Sequence, residues 1–171
     1  ATEMTFNAAG YSLTGNGKYI TNSVITANAG SSNYLAVSIE GSSGLEFKGP
    51  GTTVLAGDAS VPDANHFTGA SYFRSGTVVL QAAGAGTGTT AGDSHAVESI
   101  EALDTGATLK FGPTFDGTLW VNVPGDQIGA RIPGTKMIMT GGTLDLNNDS
   151  RNGGEPVRIP DGFGLIINNG S

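Results

Sequence analysis

Three neighbouring residues carry the side chains of a hydrolase triad. Asp93, Ser94 and His95 supply an acid, a hydroxyl and an imidazole. In a working triad these groups converge from separate parts of the fold, and consecutive residues cannot form that relay. The sequence also lacks the Gly-x-Ser-x-Gly turn that presents many serine nucleophiles. We therefore interpret the trio as a polar turn and predict no catalytic residues and no enzymatic activity.

One acidic segment resembles the first half of a calcium-binding loop. Asp145, Asn147 and Asp149 place oxygen ligands at alternate positions. The sixth position, where such a loop needs glycine, holds Ser150, and Glu155 falls one position too early for the closing acid. The two histidines lack the spacing of a zinc site. We predict no metal and no cofactor, and leave open whether Asp145, Asn147 and Asp149 bind calcium.

Four aromatic residues could provide the exposed platform on which a protein binds a sugar: Tyr11, Tyr34, Tyr72 and Trp120. A lone tryptophan within an apolar run is more often part of the core. A carbohydrate-active enzyme would also need acidic and basic residues gathered on one face, and here they are scattered along the sequence. A carbohydrate-binding or carbohydrate-active domain is therefore the alternative interpretation, with a glycan as its partner.

Charge and composition exclude several classes of protein. The net charge is −7, and the 8 basic residues are spread singly, so the chain lacks the basic face that nucleic acid requires. It has no run of about 18 apolar residues, which argues against membrane insertion. The absence of cysteine suits an exported bacterial protein whose core needs no disulfide. A start at Ala1 fits either a removed signal peptide or excision from a larger chain.

A recurring phrase of glycine followed by apolar residues dominates the sequence. Charged residues are only 13% while glycine occurs 28 times, so the chain favours short strands joined by tight turns. Recurrence at intervals of about 20 to 50 residues predicts a stacked, coiled β architecture. We expect one domain over residues 1–171. The copies of the phrase lie at residues 44–47, 76–80, 106–111, 142–146 and 162–167.

Alternation within the phrase predicts which side chains point inward. Glu46, Lys110 and Asp145 should face solvent, because successive strand residues point to opposite faces. An antiparallel jelly-roll or β-sandwich would satisfy the same pattern and is the alternative fold. The residues that should stack into a dry column are Leu45, Phe47, Val78, Leu80, Leu109, Phe111, Leu144 and Leu146.

Two further local predictions concern turns and a possible helix. Residues 15–17 (Gly-Asn-Gly) and 49–51 (Gly-Pro-Gly) have the composition of turns. Residues 94–104 carry apolar side chains at a helical spacing of three, but Thr105 and Gly106 follow at once. For that segment we favour a strand with a bend ahead of it over a short helix.

Residues 38–57 resemble the autotransporter-associated β-strand repeat, also called the passenger-associated transport repeat. The likeness continues through a Phe-Thr-Gly step at residues 67–69 to the Gly-Thr-Val strand at 76–78, and recurs at 135–147. It covers residues 14–148, although the copies are unevenly spaced. The resemblance implies an all-β, right-handed parallel β-helix in an exported protein at the cell surface, without catalytic residues.

The interpretation that best joins these features is a non-enzymatic structural protein. A solenoid with few charged residues has open strand edges, which need caps or partners. We expect an extracellular or cell-surface scaffold, adhesin or subunit of a fibre or coat. Its expected partner is a second copy of itself, in a homo-oligomer or filament.

Overall fold

The computed structural model describes residues 3–21, 23–56, 65–67, 69–80, 100–111, 114–115, 120–121, 136–145 and 164–168. In these ranges the chain forms sixteen β-strands and no helix, and hence no helix with the length and hydropathy to span a bilayer. The strands in chain order are β1 (Glu3–Phe6), β2 (Ser12–Ile20), β3 (Val24–Ala27), β4 (Ser32–Gly41), β5 (Glu46–Lys48), β6 (Thr52–Leu55), β7 (Asn65–Phe67), β8 (Ser71–Phe73), β9 (Gly76–Leu80), β10 (Ile100–Leu103), β11 (Ala107–Phe111), β12 (Thr114–Phe115), β13 (Trp120–Val121), β14 (Lys136–Met139), β15 (Thr143–Asp145) and β16 (Gly164–Ile167).

Two parallel sheets make up the fold. Sheet A has the order β1-β3-β5-β8-β10-β14-β16, and sheet B has the order β2-β4-β6-β9-β11-β15, with β7 paired to the far end of β4. The chain alternates between the sheets, so one strand of each forms a coil and successive coils stack. The predicted parallel solenoid is confirmed, and the antiparallel jelly-roll or β-sandwich is wrong. One short antiparallel pair, β12 with β13, lies outside the two sheets.

A glycine with positive φ occupies every corner at which the chain passes from sheet A to sheet B. An L-residue with a side chain adopts that backbone region at a cost, whereas glycine does not. The predicted turn at residues 49–51 is one of these corners and joins β5 to β6. The corner glycines and their φ angles are Gly10 (86°), Gly30 (73°), Gly49 (82°), Gly76 (76°), Gly106 (88°) and Gly141 (139°).

The opposite side of the solenoid, where the chain returns from sheet B to sheet A, carries most of the variation in coil length. The corners span only a few residues each, whereas the returns lengthen from residues 21–23 to residues 112–135 before a shorter last return. This division explains the uneven spacing of the repeated phrase. The return segments are residues 21–23, 42–45, 56–70, 81–99, 112–135 and 146–163.

The core lies between the sheets and consists of side-chain columns that follow the strand register. In sheet A, Ile25, Phe47, Phe73 and Leu103 are stacked in that order and are at most 1% exposed. The rings of Phe47 and Phe73 lie 5.1 Å apart between centroids, with only 10° between their planes. Each coil thus buries its apolar residues against the coils above and below, which stabilises the stack by roughly 2 kcal/mol for each large side chain.

The inward residues expected from alternation are confirmed where the structure describes their side chains. Leu45, Phe47, Val78, Leu80 and Leu109 are at most 3% exposed. Leu144 is partly buried against the same core. The side chain of Phe111 and all of Leu146 lie outside the described residues. The predicted outward residues, Glu46, Lys110 and Asp145, are partly exposed as expected.

Two expectations from the sequence need correction. The glycine-apolar phrases do not form one column, because residues 44–47 contribute to sheet A through β5, whereas 76–80 and 106–111 contribute to sheet B. The Gly-Asn-Gly segment at 15–17 is not a turn between strands, because it lies within β2. The register between β2 and β4 shifts at this point, between Thr14 and Tyr19. The two glycines therefore lie in an irregular stretch of the strand, as glycines at bulges do. Residues 100–103 form β10, which confirms a strand at that position.

Substitution of Gly76 by alanine should test the close approach at the corners. A Cβ at this position would overlap Gly49 O and lie 2.6 Å from Gly51 O, in addition to the backbone strain of φ = 76°. We expect a loss of about 3 kcal/mol or more in the free energy of unfolding, measured by urea denaturation. Gly10→Ala is the matched control. Its φ is 86° but nothing lies within 4 Å of the added Cβ, so about 1 kcal/mol should be lost. Equal losses for both variants would contradict the close approach.

Candidate functional site

Arg74 is the centre of the main charged cluster that the structure describes. It follows β8 at the corner, and its guanidinium contacts carboxylates of the coils on either side. Nε lies 3.1 Å from Glu46 Oε1, and Nη1 lies 2.9 Å from Asp104 Oδ2. The guanidinium carbon also lies 4.8 Å above the ring centroid of Tyr72, where a cation is attracted to the π electrons. One arginine therefore ties three successive coils together.

Further contacts extend this cluster along the solenoid axis. Lys48 Nζ lies 3.1 Å from Glu46 Oε2, and Thr140 Oγ1 donates a 2.7 Å hydrogen bond to Asp104 Oδ1. We call the five residues Lys48, Glu46, Arg74, Asp104 and Thr140 the corner ladder. It runs from the coil of β5 to the coil of β14 on the outside of the solenoid.

The electrostatics of the corner ladder favour fully ionised groups. Partial desolvation raises the pKa of Glu46, but hydrogen bonds from Lys48 and Arg74 outweigh it and hold that pKa below its ordinary value. For Asp104, desolvation is likewise outweighed by hydrogen bonds from Arg74 and Thr140, so its pKa is lowered. Hydrogen bonds to Asp104 and Glu46 raise the pKa of Arg74. Neither carboxyl therefore holds a proton to donate near neutral pH, as a general acid must.

A column of hydroxyl side chains runs along the outer face of sheet B. Each member lies directly opposite the next one on the neighbouring strand, and neighbouring strands are about 4.8 Å apart. They face outward, because the residues that follow them in the first four of these strands are buried. Sequence reasoning did not single them out, although the Gly-Thr step after several corners was the available signal. The column consists of Ser32, Thr52, Thr77, Thr108 and Thr143.

The aromatic residues considered for sugar binding do not come together. Tyr34 lies on the outer face of sheet B and is 39% exposed, whereas Tyr72 lies under Arg74 on sheet A. Tyr11 packs on Phe6 at the first coil, with ring centroids 5.9 Å apart. The backbone of Trp120 belongs to β13, and its side chain is outside the described part of the protein. Of the three, Tyr11 and Tyr34 are neighbours through a 2.9 Å backbone hydrogen bond from Tyr34 N to Tyr11 O, whereas Tyr72 lies on the other sheet, so they form no common platform.

The residues considered for catalysis and calcium binding are mostly outside the described ranges. Asp93, Ser94 and His95 lie there, as do Asn147 and Asp149. Asp145 ends β15, with Oδ2 3.4 Å from the ammonium nitrogen of the lysine on the neighbouring strand β11. Among the residues that are described, no group of three or more His, Cys, Asp or Glu side chains is arranged to hold a metal ion.

Several buried polar atoms have no hydrogen-bond partner in the structure. Both polar atoms of the Asn33 side chain are in this state, although the residue is only 1% exposed. The hydroxyls of Ser31, Ser38 and Ser71 are also unpartnered and buried. Asn33 shares its inward column with Val78 and Leu109. The direct neighbour of Asn33 in this column is Thr53, which is also buried and polar, and the coils beyond it place apolar groups there.

Comparison with known proteins adds no assignment to this geometry. No family model matches the sequence, and no curated protein and no solved structure matches it. The resemblance to the autotransporter-associated β-strand repeat therefore stays a prediction.

Removal of the arginine from the corner ladder should lower stability in a pH-dependent manner. We expect Arg74→Gln to cost about 1 kcal/mol in the free energy of unfolding at pH 7, because two partly exposed carboxylates lose their partner. Lys48→Gln, which removes a contact to Glu46 alone, is the control and should cost less. Because folding lowers the pKa of Glu46 and of Asp104, the corner ladder stabilises the fold at pH values above the ordinary pKa range of these carboxyls. The Arg74→Gln deficit should therefore shrink below about pH 4, as the carboxyls become protonated. A deficit that is constant from pH 7 to pH 3 in urea titrations would contradict this assignment.

Replacement of Asn33 by leucine should stabilise the protein. The change removes two buried, unpartnered polar atoms and puts an apolar side chain beside Thr53, in a column that holds valine and leucine in later coils. We expect the free energy of unfolding to rise by about 1 to 3 kcal/mol, measured by thermal and urea denaturation. Leu109→Asn makes the reverse change in the same column and should destabilise by a similar amount or more. A lower stability for Asn33→Leu would show that the amide has partners in solution.

Proposed function

We propose that this chain is a non-enzymatic structural protein, an exported β-solenoid that serves as a scaffold at the cell surface or outside the cell. The observation that carries this proposal is the continuous parallel pairing of sheet A from β1 to β16, cross-linked outside by the corner ladder. A stack of coils held by neighbour contacts forms an extended and stiff body. The charged groups of the corner ladder are paired with one another, which suits a supporting role better than chemistry.

Export and surface display rest on the composition and on the resemblance to a passenger repeat. A domain of this size without cysteine can be stable outside the cell through its core alone. The stacking of coils in register is also the geometry by which passenger-type solenoids are built, so the resemblance and the observed fold point to the same use.

We further propose that the scaffold associates with copies of itself. The strand β16 lies at one edge of sheet A and exposes Leu165, Ile166 and Ile167 at 47%, 43% and 67%. Exposed apolar edge strands template pairing with other chains unless they are covered or charged. The contact would give homo-oligomers or filaments, the assembled form of a fibre or coat.

Light scattering after size exclusion, with electron microscopy of the same fractions, tests self-association. We expect concentration-dependent species larger than the 17.2 kDa monomer. Ile166→Lys places a charge on the outward face of the edge strand and should reduce them. Val54→Lys introduces the same charge on the outer face of β6, away from that edge, and is the matched control. A monomer at every concentration for the unmodified chain would overturn self-assembly as the role.

A further inference from the structure

Three consecutive coils in the middle of the solenoid are held together by close backbone approach. On the corner side, an added Cβ at Gly49 would overlap Ala27 O, and one at Gly76 would overlap Gly49 O. On the return side, a Cβ added at Gly44 would overlap Ala70 O. We call the strands of these three coils, β3 to β6 with β8 and β9, the central block.

The boundary between the central block and the next coil, formed by β10 and β11, is built differently. An added Cβ at Gly106, the corner glycine of that coil, would meet no atom of the described chain within 4 Å. A hydrogen bond of 3.2 Å from Gly76 N to Gly106 O joins the two corners. The backbone therefore packs less closely at this boundary than inside the central block.

Sheet A is also irregular at this boundary. The four residues of β10 lie opposite the three residues of β8, with Ile100 paired to Ser71 and Leu103 paired to Phe73. The register between β10 and β14 shifts as well. An extra residue of this kind disrupts the ladder locally and bends its strand. Sheet B is regular at the same level, because β9 and β11 pair in register along their whole length.

The two ion pairs of Arg74 lie on opposite sides of this boundary. Nε contacts Glu46 inside the central block at 3.1 Å, whereas Nη1 contacts Asp104 beyond the boundary at 2.9 Å. The guanidinium also lies over the ring of Tyr72, which anchors it to the block. The pair of Arg74 with Asp104 is therefore a side-chain link across a place where backbone contact is loose.

We propose that the boundary between β8 and β10 is a joint in the solenoid, and that the ion pair of Arg74 with Asp104 is the latch that holds it closed. In the open state β10 separates from β8, while the pairing of β9 with β11 acts as the hinge. The central block stays intact on one side. Such a joint lets a stacked scaffold yield at one level without unfolding of the whole stack. It depends neither on export nor on self-association.

Hydrogen exchange of single backbone amides, followed by NMR on the whole chain, tests the joint. The Asp104 and Gly76 amides donate across the joint. The Arg74 and Thr77 amides, which lie close to them, donate back into the central block. Because local opening frees only the first two amides, we expect their protection to be at least about tenfold lower. The four acceptors, in the order of these donors, are Phe73 O, Gly106 O, Phe47 O and Gly51 O.

Two isosteric variants each remove one partner of Arg74. Asp104→Asn weakens the latch and should lower protection of the Gly76 amide by about two- to fivefold, the range for a partly exposed ion pair. Glu46→Gln weakens the contact of the same arginine inside the central block and should leave protection of that amide unchanged. The Gly76 amide serves as the reporter for both variants, because neither substitution alters its chain neighbours.

Added salt gives an independent measure of the latch. Because screening weakens partly exposed ion pairs, salt should lower protection of the Gly76 amide in the unmodified chain and act less in Asp104→Asn. Equal protection of all four amides, equal effects of the two variants at Gly76, or no loss of protection there in Asp104→Asn would each overturn the proposal. None of these results would bear on whether the chain self-associates.

Discussion

Close backbone approach at two central glycine corners, Gly49 and Gly76, is the constraint on which the structure depends. At Gly49 an added Cβ would overlap Ala27 O of the preceding coil, and at Gly76 it would overlap Gly49 O. These neighbouring corners are therefore stacked backbone on backbone, whereas an added Cβ would meet nothing within 4 Å at Gly10, Gly30 or Gly106. This stacking requires residues without a side chain and at positive φ, which only glycine meets without strain. Once the corners coincide, the strands that enter and leave them are fixed in register.

That register produces both outer features of the solenoid. Arg74 meets Glu46 and Asp104, which are 28 and 30 residues away, because each side chain stands at or beside the same corner. The hydroxyl column on sheet B has the same origin, since its members stand one to three residues beyond the corner glycines. The return side also has a close backbone approach, because a Cβ added at Gly44 would overlap Ala70 O and one added at Gly69 would overlap Gly44 N. The segment between β9 and β10 is nevertheless long without disturbing either outer feature.

The sequence predicted the architecture more fully than the site. The glycine-apolar phrases, with charged residues at alternate positions, were sufficient to predict short strands and a buried core. Leu45, Val78 and Leu109 are buried, as the alternation predicted. The phrase did not reveal the true repeat, because its copies occupy different places in the coil. Gly44 lies in a return segment and precedes a strand of sheet A, whereas Gly76 lies at a corner and begins a strand of sheet B. Composition near the two glycines is alike, and only the φ angle of Gly76 distinguishes them. The corner ladder was not foreseeable either, since its partners depend on return lengths that no local pattern encodes.

Contacts between neighbouring coils stabilise the interior of the solenoid, because each coil is held by the coil before it and the coil after it. The pairing of β14 with β16 follows the same parallel register as the pairs before it, and β16 exposes Leu165, Ile166 and Ile167. A parallel strand edge and apolar side chains are the features by which the interior coils join one another, and they are also the features on which the proposed self-association rests. Folding of the solenoid and association of copies thus draw on the same kind of contact, so a stacked fold needs no separate surface for assembly.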